Sequence, residues 1–318
     1  MRVIIMFNQE IKEKFLVEST LSAQDKNSAR GLFNISEPFE TSVQKDIVQM
    51  NSLEASHIVT AMKIRELSHV YLANTVFRAY MEWCRTNSVF KNINSGFLEV
   101  CTANVDITKQ IVEDLFPTDA AVFRELRKVC DFNDGYTEPA MFALAWLGLT
   151  PDESHGLLDS EIDLEHRVIY DHQGGILIPR YNDTISEVLT DYAACNVGFR
   201  EHRLGARTVV KDRSVDNFLK RFGSRTSTSF GQPITKRSFG ASASRLNKKY
   251  QELGNPPRFT YENVWKSGRY NAMYELESSG VDVLAPENQD LIIELFRNQK
   301  YYRGIVWFYP SYKKAFNL

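Results

Sequence analysis

The sequence has little cysteine, little histidine and no long apolar run. Its four cysteines, Cys84, Cys101, Cys130 and Cys195, are far apart and form no CxxC pair. This spacing excludes a disulfide-dense secreted domain and a zinc-finger type of site, and it is typical of buried thiols in a reducing cytoplasm. The six histidines are equally scattered, so we expect neither a metal nor another cofactor.

No apolar stretch approaches the length of a membrane span. The opening run VIIMF is too short for the core of a signal peptide, and the polar residues Asn8, Gln9 and Glu10 follow it at once. We therefore expect a cytoplasmic protein with no membrane partner.

The net charge is only −2, but its distribution along the chain is uneven. Between Arg200 and Lys249 there are thirteen Lys or Arg and three acids, a net of +10, which leaves −12 for the remaining residues. This polarisation is typical of a protein that holds a polyanion on one face, and it predicts contacts with the phosphates of double-stranded DNA. The predicted contact residues are Arg200, Arg203, Arg207, Lys220, Arg221, Arg225, Lys236, Arg237, Arg245 and Lys248.

The length suits two domains, and the patterns predict a mainly α protein with a small antiparallel sheet, an α+β fold. We predict an N-terminal helical domain over 1–88, a linker over 89–116 that contains the polar run NINSG, and a second domain over 117–318. In the first domain we expect a loop over 31–38 and helices over 41–88. The apolar stripe expected to face inward on the last of these helices is Leu72, Val76, Ala79, Tyr80 and Trp83.

Helix starts in the second domain are marked by capping residues and by proline. The clearest is Thr150-Pro151-Asp152-Glu153. Short β-branched runs at 162–164, 168–170 and 176–178 predict the sheet, and Asp183 is expected to cap the next helix. We then expect a helix from Ser214 with Phe218, Leu219 and Phe222 inward and Lys220 and Arg221 outward. A loop is predicted over 224–240, followed by helices over 242–253 and from Pro286, whose inward residues include Leu253 and Leu291.

The stretch Thr260–Asp282 is predicted to form one long helix, which Thr260 can cap and Gly280 can end. Lys266 and Arg269 lie three residues apart and therefore on one face. A solvated basic face is the ordinary explanation for such a pair. However, this spacing, with GVD eleven residues beyond the arginine, resembles the HxxR helix of the tyrosine recombinases (phage integrases). Two further segments share the resemblance. LSHVYLANTVFRAYMEWCRTN is similar to the last long helix of that family's SAM-like core-binding domain, and AWLGLTPDESHGLLDSEIDLEHRVI to the opening half of its catalytic domain.

The resemblance implies an active site that has degenerated. The family uses a tyrosine nucleophile and a cluster of cations that stabilises charge on the phosphate, and losing one such group costs about 10²–10³ in rate. Here Thr150 stands where the family has its first arginine, and the hairpin Tyr170–Ile178 contains no lysine. The remaining family positions fall on Lys266, Arg269, Asn298 and, for the nucleophile, Trp307, with Tyr302 and Tyr309 nearby.

These observations predict a non-catalytic, sequence-specific DNA-binding protein. The resemblance extends to the recombinase-fold master repressors of lysogeny in SPβ-type prophages, which implies a phage transcriptional repressor. The polar linker NINSG and the two separate apolar patterns predict a two-part clamp, with residues 41–88 on one face of the duplex and 117–318 on the other. The resemblance of the helix that contains His69, Asn74 and Arg78 implies further DNA contacts from these residues.

Three questions stay open at this stage. The protein could be an active recombinase with Tyr309 or Tyr302 as nucleophile, or an accessory factor that bends DNA or binds an intact recombinase. The aromatic tail YYRGIVWFYPSY could pack on its own chain, mediate self-association or meet an accessory phage protein. Arg269 could bind a phosphate, or it could pair with an acid such as Glu153.

Overall fold

The computed structural model describes residues 6–62, 67–103, 107–131, 136–202, 205–223, 232–297 and 305–318. Contacts divide the chain into two compact units. The N-terminal unit consists of Met1–Ile111 together with Asn298–Leu318, and the second unit is Val112–Arg297. The prediction of a mainly α protein with a small antiparallel sheet is confirmed, and a second small sheet is present as well.

The described part of the N-terminal unit is helical. Its helices are α1 (Gln9–Glu18), α2 (Ala23–Val43), α3 (Ser52–Ala61), α4 (Leu67–Thr86), α5 (Gly96–Ala103) and α14 (Tyr309–Phe316), and α6 (Ile107–Asp114) crosses into the second unit. Phe15, Phe33 and Tyr80 join α1, α2 and α4 in one aromatic core, with ring centroids 5.0–6.2 Å apart. Ile305, Phe308, Tyr309 and Tyr312 of the tail are also buried.

Three expectations for the N-terminal unit are corrected. Residues 31–38 were expected to form a loop but lie inside α2, because Ala29, Leu32, Phe33 and Ser36 recur at helical spacing on a buried face. Leu72 is 38% exposed, although the apolar stripe of α4 was expected to bury it. The predicted linker, 89–116, contains both α5 and α6, and α5 packs against α3.

The second unit combines helices with two three-stranded sheets. Its helices are α7 (Asp119–Leu126), α8 (Glu138–Trp146), α9 (Pro151–Gly156), α10 (Asp183–Ala194), α11 (Lys236–Glu252), α12 (Tyr261–Ser278) and α13 (Gln289–Leu295). The strands are β1 (Ile162–Asp163), β2 (Val168–Tyr170), β3 (Ile176–Ile178), β4 (Val197–His202), β5 (Gly205–Lys211) and β6 (Phe222–Gly223). Helix α8 is apolar on all sides and is buried throughout, so it forms the centre of this unit.

Both sheets are antiparallel. The first has the order β1-β2-β3, with Ile162 opposite Ile169 and Ile169 opposite Ile178, and it confirms the predicted hairpins. The second, β4-β5-β6, pairs β4 with β5 along their full length, from Val197–Val210 to His202–Gly205. Charged residues interrupt the alternation of apolar and polar residues along β4 and β5, which explains why the sequence pattern did not reveal this sheet.

The segment between β5 and α12 differs most from expectation. The helix predicted from Ser214 is absent, because Asp212 accepts hydrogen bonds from the Ser214 N–H and hydroxyl and so stabilises a turn instead. Helix α11 begins at Lys236, so residues 236–240 of the predicted loop are helical, and residues 224–231 lie outside the described residues. Leu253 and Leu291, both expected inside, are 57% and 39% exposed. The cap of α10 is Asn182 rather than Asp183.

Candidate nucleic-acid interface

Helix α12 carries the pair Lys266 and Arg269 and packs against α8. The Thr260 hydroxyl accepts a hydrogen bond from the Asn263 N–H at 3.0 Å, which confirms the predicted cap. The two helices approach so closely at Gly268 that a Cβ there would lie 2.0 Å from the carbonyl oxygen of Trp146. This contact holds the middle of α12 against the end of α8 and brings Arg269 over the turn that follows α8.

Arg269 is buried, with 7% of its surface exposed. Its Nη1 donates to the Leu295 carbonyl at 2.9 Å and its Nη2 to the Trp146 carbonyl at 3.2 Å. The guanidinium lies across Gly148, where a Cβ would be 2.2 Å from Cζ; Gly148 also has a φ of +95°. Burial, reinforced by the nearby charge of Arg297, lowers the pKa of Arg269 to about 10. Both terminal nitrogens of Arg269 therefore donate hydrogen bonds to main-chain carbonyls.

Glu153 is engaged by a different arginine. Its Oε1 pairs with Arg297 Nη2 at 2.6 Å, and its Oε2 accepts from the Thr150 N–H at 2.7 Å. The Thr150 hydroxyl accepts in turn from the Glu153 N–H, so the two residues form the capping box of α9. The alternative that Arg269 pairs with Glu153 is thus wrong, and Arg297 takes that place. Arg297 was not among the predicted site residues. The neighbouring sequence points to it only through its position directly after the buried Phe296.

The other members of the α12 cluster also have partners within the unit. Lys266 Nζ pairs with Glu262 Oε1 at 2.6 Å, one turn earlier on the helix. The Tyr261 hydroxyl donates to the Leu149 carbonyl at 2.8 Å and hydrogen-bonds Ser154, so it connects α12 to α9. Burial raises the pKa of Tyr261. Around Thr150, Lys266 and Arg269, the polar groups are thus used to hold the unit together.

The cations of the segment 200–249 whose side chains the structure describes are exposed, half-buried or buried. Lys211 is buried, and its ammonium donates to the Tyr192 carbonyl at 2.5 Å. Arg213, Arg237, Arg245, Lys248 and Lys249 are exposed. Arg221 is half-buried and donates to the carbonyls of Gln232 and Pro233 and to Ser238. Lys220 was expected to point outward but is 6% exposed, because its ammonium pairs with Asp159 and donates to the Asn217 carbonyl at 2.7 Å.

The remaining cations of this segment are placed only in part. Arg203 and Arg225 lie outside the described residues. Arg200, Arg207 and Lys236 are described by their backbone alone. In the β4–β5 register, Arg200 lies directly opposite Arg207.

In the N-terminal unit the structure brings together Asn74, Arg78 and Trp307. The Arg78 Cζ lies 4.8 Å from the centre of the Trp307 ring, and its Nε donates to Asn74 Oδ1 at 2.5 Å. Asn74 was expected on the polar side of α4 but is 1% exposed. Tyr309 is fully buried. Asn298 and Tyr302 lie outside the described residues, and His69 is described by its backbone alone.

Comparison with known proteins finds a family model that is similar to the N-terminal region. Residues 6–86 match the family model of the MrpR N-terminal core-binding domain. The match covers α1 to α4 and ends where α4 ends. A search of curated protein sequences found no match.

Two solved structures of the Tn1549 transposon integrase resemble the whole chain. One, a point variant in complex with a circular intermediate DNA, has a TM-score of 0.47 and 16% identity and covers 96% of this chain and 95% of that chain. Another, a different variant in complex with transposon right end DNA, has the same TM-score and identity and covers 95% of this chain and 93% of that chain.

The described residues contain no group of three or more His, Cys, Asp or Glu side chains that could hold a metal ion. No helix in the described part of the chain combines the length and apolar composition that crossing a membrane requires.

Proposed function

We propose that this protein is a phage transcriptional repressor that binds double-stranded DNA on a tyrosine-recombinase scaffold and does not cut it. The observation that carries the proposal is the exposed cationic face of α11. Arg237, Arg245, Lys248 and Lys249 are exposed along this one helix. A row of exposed cations on a rigid helix suits a phosphate backbone, which requires charge and donors at regular intervals.

The β4–β5 hairpin supports the same proposal. Arg200 and Arg207 are directly opposed in the register, and like charges in such positions destabilise a strand pair. Cations at opposed positions of a strand pair favour a bound anion such as phosphate. A two-stranded antiparallel ribbon also has dimensions that fit the major groove of DNA.

The absence of strand cleavage is supported by the way α12 uses its charges. Nη1 and Nη2 of Arg269 each donate to a main-chain carbonyl, of Leu295 and of Trp146, which holds the buried guanidinium within the unit. Thr150 carries no charge and caps α9. The burial of Tyr309 leaves its hydroxyl without access to a DNA strand. The match of residues 6–86 to a core-binding domain supports the scaffold.

The first test is DNA affinity measured against salt for the wild type and for Arg245→Ala with Lys248→Ala. Each phosphate contact contributes about 0.9 to the salt slope, so the double variant should flatten the slope by about 1.8. The matched control, Arg124→Ala with Arg180→Ala, removes two exposed cations from the same unit and should leave the slope unchanged. An affinity that barely responds to salt in the wild type would contradict the proposal.

Cleavage and repression are tested separately. On a nicked suicide substrate the wild type should form no covalent adduct, and an adduct that Tyr309→Phe or Tyr302→Phe removes would restore the active-recombinase alternative. Repression of a reporter promoter carrying the bound site should require the α11 cations. Binding without repression would instead favour an accessory factor.

A further inference from the structure

A polar cavity of about 550 Å³ lies in the N-terminal unit, between the end of α4, the segment 91–95 and the start of α3. Its charged lining residues are Lys45, Glu54, Arg85 and Lys91, which sum to a net of +2. Lys45 pairs with Glu54 at 2.5 Å. Arg85 and Lys91 are exposed. Because Lys45 and Glu54 neutralise each other, Arg85 and Lys91 supply the net positive charge of the cavity lining.

Three amide side chains give the cavity a further preference for anions. Gln49 Oε1 accepts from the Asp46 N–H at 3.2 Å, Asn51 Oδ1 accepts from the Glu54 N–H at 2.9 Å, and Asn94 Oδ1 accepts from the Gly96 N–H at 3.0 Å. Each amide oxygen is thus occupied by the backbone. The polar group that each side chain retains for a ligand is its NH2, which can only donate. These three amides therefore present donors to the cavity, beside Asn92 and Ser95, which also line it.

The backbone fixes these groups in place. Helix α4 ends in a turn in which the Val89 N–H donates to the Cys84 carbonyl at 2.9 Å and Ser88 has a φ of +51°. Five residues later the Asn94 N–H donates to the Val48 carbonyl at 2.6 Å, which attaches the segment 91–95 to the residues before α3. The donors on both sides of the cavity are held by hydrogen bonds before any ligand arrives, and such preorganisation lowers the cost of binding.

We infer that this cavity binds a phosphoryl group. A phosphate offers several oxygens to converging charged and neutral donors, and charge-assisted hydrogen bonds of this kind are among the stronger polar contacts. The cavity volume lies in the range of small-ligand sites, so the group can belong to the DNA backbone or to a free phosphorylated compound. Binding of the DNA backbone in this cavity rests on the proposed function, whereas binding of a free phosphorylated compound does not.

The test compares Arg85→Ala with Lys91→Ala, as a double variant, with the control Lys14→Ala with Arg30→Ala. The control removes the same charge from the same unit, at positions 62% and 46% exposed and away from the cavity. Pyrophosphate is titrated into each protein at constant ionic strength while the melting temperature is followed. In parallel, duplex DNA affinity is measured against salt. A second version, with glutamine at both positions, replaces the alanine variant if the latter melts early.

A saturable stabilisation by pyrophosphate that weakens at least about tenfold in the cavity variant but not in the control would support the free-ligand source. A salt slope that falls by about 1.8 only in the cavity variant would support the DNA source. If neither measurement separates the cavity variant from the control, the inference is overturned. Failure of the wild type to bind DNA would overturn the proposed function and leave the pyrophosphate result to decide the cavity.

Discussion

Helices α11 and α12 are neighbours in sequence, and both are rich in cations, but they use them in opposite ways. In α11, Arg237, Arg245, Lys248 and Lys249 are exposed, although Arg245 lies 3.9 Å from the buried carboxylate of Glu138, and the apolar residues Leu246 and Tyr250 are buried beneath them. In α12, Arg269 is buried on two carbonyls and Lys266 pairs with Glu262. A basic residue in the sequence therefore indicates a positive charge, but it does not show whether that charge faces solvent or is bonded within the protein. The outcome depends on whether the backbone nearby offers acceptors.

The sharpest way to test this comparison is to add one methyl group to each helix. Gly268→Ala places a Cβ 2.0 Å from the Trp146 carbonyl oxygen, so α12 must move away from α8, and we expect a loss of about 4 kcal/mol or more in unfolding free energy. Gly240→Ala in α11 meets nothing within 4 Å and should stabilise the helix by about 0.5–1 kcal/mol. Urea denaturation of both variants measures the difference. Equal stability of the two would show that α12 and α8 do not approach as described.

Arginine truncation in the two helices separates structure from binding. Arg269→Ala leaves the buried Leu295 and Trp146 carbonyls without their donors and opens a cavity, so we expect a loss of about 2–4 kcal/mol in unfolding free energy. Lys248→Ala, at an exposed position of α11, should keep the wild-type melting temperature and weaken DNA binding. Thermal melting and DNA titration are run on both. A stable Arg269→Ala that loses only DNA affinity would instead identify Arg269 as a phosphate ligand.

The buried side of α11 should respond to acid. Tyr250 donates to Glu125 Oε2 at 2.7 Å. Although burial raises the pKa of Glu125, hydrogen bonds from Lys128 and Tyr250 outweigh it and lower the pKa to about 2. The folded pKa is below the unfolded one, so the stabilisation is present above pH 4.5 and is lost as the pH falls toward 2. After allowing for solvent screening, we expect about 1–2 kcal/mol, measured as the acid-dependent stability of wild type that Glu125→Gln lacks. Parallel curves for the two proteins would contradict this assignment.

The smallest effect concerns the first residue of each helix. Thr260 caps α12 through its hydroxyl, whereas Thr235 makes no side-chain cap to α11. Thr260→Ala should cost about 1 kcal/mol and Thr235→Ala close to nothing. Chemical denaturation is the measurement, with each variant as the other's control. A larger loss at Thr235 would reverse the comparison.

The features predicted correctly are those that depend on neighbours in sequence. The capping box of Thr150 and Glu153, the cap at Thr260 and the β1–β3 hairpins each depend on residues within a few positions of one another. Their hydrogen bonds are local, so a pattern of residue types is enough to predict them.

The features that were missed depend on distant partners. Lys220 can be buried because its ammonium pairs with the carboxylate of Asp159, 61 residues away in the sequence. The Trp146 carbonyl, which accepts a hydrogen bond from Arg269, lies 123 residues away from that arginine. Gly31–Pro38 was expected to be a loop because Gly and Pro are poor helix formers, but burial of Leu32 and Phe33 outweighs that local preference. For the same reason the sequence identifies the exposed α11 cations more reliably than the role of Arg269.

The grouping of residues 305–318 with the first hundred has a consequence for synthesis. On the ribosome, residues 112–297 are complete and able to pack while the helices made before them still lack Phe308, Tyr309 and Tyr312. The region translated first is therefore the last to be finished. A premature stop shortly after residue 297 would leave the region translated second intact and remove the buried Phe308, Tyr309 and Tyr312 from the first, which should favour its aggregation and proteolysis.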